Sequence, residues 1–505
     1  MIKNFTKSLI VICFSVSTIL FCTDSKDPEI AGTFLARVGS QVITEEDFVR
    51  RAEFSIRPQY CAGNNAIHKK IVLNSLIAEK LLALEEHSQS DLDTNRMFQD
   101  YLTGLKEQAM RQWLFHEQGE NKVVVVDEEL QKAVGLALRS YALEYFTVPN
   151  SGMLNQVLKD LDDGYDFGAI YSAITGADSL PVKEIGWFDK EEAIVHQRIF
   201  SDTLEVGQIL PPVKTADGNY LMIRITDYFD RVLLSPVEIA DHHSRVRKEF
   251  HAKQAHLLYD DYIREVMRAK RFVLNEAVFI PYAASMASRY YNAAKSKQDM
   301  FNQEMWGAEH RPDSGRQINE IPVGPQEQLF TLDDEPWTVK DFESYLRRHP
   351  LIFRKKDMPH AEFPEQLKFA IADLLRDFFL TEKAYELGYD QSSVIRQNVE
   401  LWEDHYLGRH HRAEYLKSRI PPDKRTEMDQ QEILEQWLQP LLDSLQQKYS
   451  TDIQIDVEAF NKLEISNIQA FATRPDLPFP VLVPSFPVLT MDHELDYGSR
   501  YLKPE

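Results

Sequence analysis

The chain has little cysteine: three residues in 505, at positions 13, 22 and 61. Two of them fall in the first 22 residues, so Cys61 is left without an intramolecular partner and no disulfide framework holds the rest together. Stability must come from packing. Positive charge is also short, with 57 Lys and Arg against 79 Asp and Glu and a net charge of −22. Phosphate backbones demand clusters of Lys and Arg, so this balance argues against a nucleic-acid partner. The leading apolar run, Leu9 to Phe21, has thirteen residues where a bilayer span needs about 20. There is no Walker loop, dinucleotide fingerprint, zinc pair or Gly-x-Ser-x-Gly elbow, so no cofactor and no metal is expected.

What is present starts at the amino terminus. Lys3 and Lys7 precede the apolar run, the order of a charged n-region and h-region in a secretory signal over residues 1–22. Residues 23–34 then read as a polar tether. Leu20-Phe21-Cys22 resembles a bacterial lipoprotein box, which implies cleavage before Cys22 and lipid attachment to its thiol. Phe21 departs from that pattern, where a small residue is usual, and a plain signal with an incidental cysteine is the other reading.

Apolar residues at 43% and charged residues at 27% are globular values, and the length suggests two to four domains. The clearest internal feature is a repeat. "LARVGSQVITEEDF" (35–48) and "LFTLDDEPWTVKDF" (329–342) align without a gap and share a Thr-x-x-Asp-Phe ending. Each reads as hairpin followed by a helix, with Thr44 and Asp47, or Thr338 and Asp341, forming a carboxylate capping box. Apolar stripes follow in both copies: Ile67, Ile71, Leu73, Leu76, Ile77, Leu81 and Leu84 in one, Leu367, Ile371, Leu374, Leu375, Phe378 and Phe379 in the other. Helical modules are therefore expected over 35–122 and 329–465. Between them, 123–234 alternates strands and helices like a compact α+β domain. Residues 235–280 form a long helix and strand returning to the helical module, 281–328 a linker, and 466–505 a Pro-rich extended tail.

The middle unit carries a resemblance. "DGYDFGAIYSAITGADS", "KEIGWF" and "LEVGQILPPVKTADGNYLMIRITD" resemble the parvulin family of peptidyl-prolyl isomerases over about residues 138–230. That family reads Gly-x-Asp-Phe, Gly-Asp-Leu-Gly-x-Phe, then Pro-Val-x-Thr-x-x-Gly before a final strand. Gly164, Asp166, Phe167, Gly186, Phe188, Gly207, Pro212, Val213, Thr215 and Gly218 match in order. "VVVVDEEL" ahead of it, and the helical stretch 35–118, resemble SurA- and PrsA-type export foldases. The resemblance implies a multidomain α+β protein, with a parvulin-like domain flanked by two chaperone-like helical modules. It also implies a place in the bacterial envelope on the periplasmic side, and unfolded exported polypeptides as partners.

Prolyl isomerisation needs no nucleophile, only an apolar slot and a polar floor that favours the twisted amide. The family builds that floor from two histidines and a nearby Asp or Cys. Here both histidine positions hold tyrosine, Tyr145 and Tyr220, and Glu184 stands at the Asp of Gly-Asp-Leu-Gly. A phenol can still donate a hydrogen bond, so Tyr145 facing Tyr220 would make an alternative polar pair or a stacked apolar floor. Trp187, Phe188, Phe200 and Met222 would line a client groove, or serve as core. Three functions stay open: a folding factor with weak or lost isomerase activity, an active isomerase, and an assembly subunit docking one fixed partner.

Other residues have plainer readings. His405, His410 and His411 lie on one helix, but spacings of five and one do not share a face, so no metal is assigned. His242-His243 reads as solvated. "YLRRHPLIFRKK" (345–356) reads as a basic rim for acidic clients or lipid headgroups, and Cys61 as an inert thiol.

Overall fold

The structure, a computed structural model, describes residues 34–89, 95–215, 218–306, 323–355, 358–421, 428–466 and 482–495. The expected signal, Cys22 and nearly all of the tether lie outside the described residues. The chain divides into two compact units, one of Met1–Glu86, Ser392–Leu477 and Val483–Glu505, the other of His87–Gln391 and Pro478–Leu482. No described helix is long and apolar enough to cross a membrane.

The first unit opens with β1 (Phe34–Val38) and β2 (Gln41–Thr44), joined by a turn in which Gly39 takes φ +62°. Helix α1 (Glu45–Glu53) starts on the expected capping box. The Thr44 hydroxyl accepts from the Asp47 N–H at 3.0 Å, and the Asp47 carboxylate accepts from the Thr44 N–H at 3.1 Å. Helix α2 (Ala66–Gln89) buries Ile71, Leu73, Leu76, Ile77 and Leu81 as its stripe required; Ile67 stays exposed.

The second unit begins with α3 (Arg96–Gln118) and α4 (Asp127–Leu136). A four-stranded antiparallel sheet follows, built from β3 (Arg139–Val148), β4 (Val182–Gly186), β5 (Val213–Lys214) and β6 (Tyr220–Asp230) in the order β4-β3-β6-β5. Helices α5 (Ser151–Asp162) and α6 (Phe167–Thr175) come between β3 and β4, and α7 (Ala193–Phe200) between β4 and β5. Alternation along the strands sorts the two faces. Phe146, Val148 and Met222 pack with Leu154, Val157, Phe167 and Ile170 of α5 and α6. Tyr141, Leu143, Ile223 and Ile225 pack on the other face with residues of α4 and α7 and with Val246 of the long helix α8 (Pro236–Met267).

After α8, strand β7 (Phe272–Leu274) pairs with β8 (Gln328–Leu332), which pairs with β9 (Glu335–Thr338). So the strand after the long helix completes the second hairpin, not the first. The expected linker from 281 is helical as far as Trp306, within α9 (Glu276–Trp306), despite Pro281. A proline inside a helix costs about 3 kcal/mol, and burial of Phe279, Tyr282 and Ala283 around it offsets this. Helix α10 (Val339–Leu346) starts on the second capping box, Thr338 with Asp341, and α11 (Phe363–Glu386) buries its apolar stripe.

Helix α3, expected in the first module, instead packs in this unit. Asp100, Gly104 and Glu107 lie at i, i+4 and i+7 on one face. Asp100 accepts from Arg347 Nε at 3.0 Å and Arg348 Nε at 2.9 Å, and Glu107 binds His349. Burial alone would raise the Glu107 carboxyl, but the hydrogen bonds from His349 and Tyr385 and the His349 charge hold it below the usual range.

The first unit is closed by the end of the chain. Helix α12 (Ser393–Arg419) packs on α2, followed by a π turn (Leu434–Leu438) running into α13 (Gln439–Lys448). Strand β10 (Ile453–Ile455) pairs with β1, then α14 (Val457–Lys462) follows. Residues 482–495, expected as part of a free tail, bury Phe486 and Leu489 in this core, because their apolar side chains cover α2. Both hairpins thus gain a third strand beside their first, and both third strands follow a helix. The repeat is real, but its pieces are distributed: 329–465 does not form one module, since residues from 392 onward belong with the amino-terminal hairpin.

Candidate functional site

The residues that carried the parvulin resemblance turn out to shape the chain. Gly164, Gly207 and Gly218 take φ of +90°, +85° and +89°, conformations that L side chains rarely adopt. Asp166 caps α6 by accepting from the Gly168 N–H at 2.8 Å and the Ala169 N–H at 3.3 Å. Phe167 is buried against Phe146, with ring centroids 4.9 Å apart. Thr215 donates to the Asn219 carbonyl at 3.0 Å, closing the turn into β6. These positions specify turns, caps and core.

The polar floor is a different matter. Strand register pairs Tyr145 with Ile223 and Val148 with Tyr220. Tyr145 therefore shares a face with Ile223, and Tyr220 shares the opposite face with Val148. Packing agrees: Tyr145 lies against the α4–α7 core and Tyr220 against the α5–α6 core. The two phenols do not face each other. Glu184 is exposed on the edge strand β4 and accepts from Ser140 Oγ at 3.1 Å.

The expected groove residues separate likewise. Trp187 and Phe200 are buried in the α4–α7 core, and Met222 is buried on the other face. Phe188, half-buried, packs edge-on to His242 with the Arg245 guanidinium 4.3 Å from its centroid. His242 is buried and bonded to the Val134 carbonyl at 3.1 Å, so it is not solvated as expected. Four aromatic or soft side chains were legible; that they serve as core depends on register across distant strands.

A concave apolar feature lies elsewhere in the second unit. Met286, Tyr290, Leu346, Phe353 and Phe363 line a slot of about 550 Å³, with the Arg289–Glu343 ion pair (3.4 Å) in its wall. The slot takes Leu346 and Phe353 from the stretch expected to be a basic rim. Its described bases are already matched within the chain: Arg347 and Arg348 to Asp100, Arg354 to Asp373 at 2.8 Å, and Lys355 to Glu362 at 2.5 Å. The described part of the stretch thus offers apolar surface beside bases that already hold carboxylate partners.

One cluster escaped the sequence reading. His196 on α7 is buried, Lys253 on α8 is half-buried, and their nitrogens lie 2.6 Å apart beside the Trp187 carbonyl. Burial, then the Lys253 charge, pushes the His196 imidazole down to about 4; burial pushes the Lys253 ammonium down to about 8. Residues 57 positions apart on different helices leave no spacing signal.

The remaining candidates are structural. His405 pairs with Glu79 at 2.8 Å, while His410 and His411 both reach Glu86, at 2.7 and 3.1 Å. Glu79 also takes both Arg51 terminal nitrogens, at 2.8 and 3.1 Å, in the core of the first unit. No group of acidic, His or Cys side chains suited to a metal occurs among the described residues. The Cys61 thiol is fully buried and pushed up to about 12, which makes it inert at neutral pH.

No protein-family pattern matches the chain, and no curated protein matches it. Among solved structures it is similar to the peptidylprolyl isomerase PrsA of Bacillus cereus, at 17% identity and a TM-score of 0.18, over 48% of this chain and 93% of that one. It is also similar to the foldase protein PrsA of Streptococcus pneumoniae, at 15% identity and a TM-score of 0.20, over 43% of this chain and 84% of that one. TM-scores of this size do not describe a shared global fold, and the functional reading rests on the chain's own residues.

Proposed function

We propose that the protein is an exported folding factor that holds unfolded polypeptides and has lost prolyl-isomerase chemistry. The observation that carries the loss is the register of β3 and β6, which sends Tyr145 and Tyr220 to opposite faces. A twisted amide would need both donors on one side of the proline, and Glu184 is tied to Ser140 on an exposed edge. The parvulin-like sheet then serves as a scaffold rather than a catalyst.

Client contact is assigned to the slot of Phe353, Phe363, Tyr290, Met286 and Leu346. At about 550 Å³ it falls within the usual range for binding pockets, about 300–1,000 Å³. It could take two apolar side chains from an extended segment, where alternate residues share a face. The bases flanking it are internally paired, which supports an uncharged occupant over an acidic one. The Cys22 resemblance supports attachment to a membrane in the bacterial envelope by lipid, for which more than one acyl chain is needed.

Light scattering tests this reading. The native protein should suppress aggregation of two unrelated unfolded proteins, and Phe353→Asp should lose most of that suppression. Absence of suppression by the native protein would overturn the holding function. Full suppression by a folded Phe353→Asp variant would overturn only the slot assignment.

A further inference from the structure

His405 meets Glu79 through one ring nitrogen, and its other nitrogen faces a hydroxyl. Ser485, exposed on the segment 482–495, places its Oγ 3.4 Å from His405 Nε2, while His405 Nδ1 lies 2.8 Å from Glu79 Oε1. The imidazole and the carboxylate are both buried, on α12 and α2, and all three residues belong to the first unit. Burial alone would raise the Glu79 carboxyl, but the Arg51 charge and the bonds from His405 and Arg51 hold it below the usual range. An ionised carboxylate only accepts, so Nδ1 carries the hydrogen, and in the neutral ring Nε2 turns its lone pair to the Ser485 hydroxyl. The main chain of the serine is fixed as well. Arg51 Nη2, which donates to Glu79 Oε1 at 3.1 Å, also donates to the Ser485 carbonyl at 2.7 Å. Pro484 and Pro487, both buried, fix their own φ and restrict the residues ahead of them.

We propose that Ser485, His405 and Glu79 form a serine–histidine–carboxylate site that hydrolyses small carboxylic esters. Such a triad is recognised by geometry and roles rather than by chain order. The 3.4 Å between Oγ and Nε2 is loose, as catalytic hydrogen bonds often are before substrate tightens them. As Ser485 Oγ bonds to the acyl carbon, its proton passes to His405 Nε2. The N–H groups of Ser485 and Phe486 make no hydrogen bond among the described residues, which leaves them as donors for the oxyanion. The C–O bond to the alcohol then breaks, its electron pair stays on the leaving oxygen, and that oxygen takes the proton from Nε2. Water attacks the acyl-serine and gives a proton to Nε2; the bond from carbon to Oγ breaks, Oγ recovers the proton, and the acid departs. Because Ser485 is exposed, a substrate gains little binding energy there to activate an amide. An ester needs less.

The experiment treats the full-length protein with p-nitrophenyl acetate and, separately, with an alkyl fluorophosphonate, which phosphonylates serine as the P–F bond breaks and fluoride leaves. Release of p-nitrophenolate should continue beyond one equivalent and fall to the uncatalysed background in a folded Ser485→Ala variant. By peptide mass, the fluorophosphonate should label Ser485 about 100-fold faster than Ser151, which is exposed at the start of α5. Glu79→Gln keeps an acceptor for Arg51, but its amide can donate to Nδ1 and so moves the ring hydrogen to Nε2. A folded Glu79→Gln variant should therefore lose Ser485 labelling by a similar factor. Equal labelling of Ser485 and Ser151, or release unchanged in Ser485→Ala, would overturn the proposal. Full labelling of Ser485 in a folded His405→Gln variant would do the same. The comparison of Ser485 with Ser151 uses native protein, so the test does not depend on a variant folding. It is also independent of whether the protein holds clients.

Discussion

Asp333 and Asp334 both adopt positive φ, 50° and 68°, at the tip of the second hairpin, the conformations of a tight turn that glycine or asparagine fills most easily. They are not equivalent. Asp333 accepts from the Arg271 N–H at 2.8 Å and Lys270 at 2.9 Å, whereas Asp334 has only a 3.7 Å contact with exposed Arg271. Asp334→Gly should therefore raise stability by about 1 kcal/mol through relief of left-handed strain, read as a higher denaturant midpoint. Asp333→Gly should lower the midpoint, because the same relief is outweighed by two lost charged contacts. At this scale much was legible. Both capping boxes follow from four residues each, and three of the positive-φ glycines, Gly164, Gly207 and Gly218, stand at motif positions. The tyrosine pair was not, because the side of a sheet to which Tyr145 or Tyr220 points is fixed by a pairing between segments 75 residues apart.

Helix α3 shows what decides an element's place. Its apolar stripe fits many neighbours, but the Asp100–Gly104–Glu107 face fits Arg347, Arg348 and His349 in charge and in distance. A Cβ built on Gly104 would lie 2.3 Å from the Arg348 carbonyl oxygen, so backbone must shift to admit alanine. Gly104→Ala should cost about 1–3 kcal/mol and lower the unfolding midpoint. Gly135→Ala on α4, where no atom comes within 4 Å of the new methyl, should instead gain about 0.5–1 kcal/mol from helix propensity. The same scale explains the distributed repeat. Hairpin, capped helix and long apolar helix were readable in both copies. Which hairpin receives β7 and which receives β10 was not, because both strands have only three residues. Nor was burial of 482–495, where prolines suggested freedom and Phe486 and Leu489 supply an anchor.

For the whole molecule, two compact units each hold a three-stranded sheet closed by a strand from elsewhere in the chain, and the second also carries the four-stranded domain. The α+β multidomain class and the mixed strand-and-helix character of the middle unit were expected from pattern and motif; the division at residues 86 and 392 was not. The proposed holding function rests on two features of the second unit: a four-stranded sheet that carries Tyr145 and Tyr220 on opposite faces, and an apolar slot.

Refolding of a proline-limited substrate protein, timed with and without this chain, tests that contrast most directly. With aggregation absent, the slow phase should keep its spontaneous rate, tens of seconds or longer, at every concentration of the protein. Acceleration proportional to protein concentration, abolished by Tyr220→Ala in a folded variant, would contradict a scaffold without isomerase chemistry.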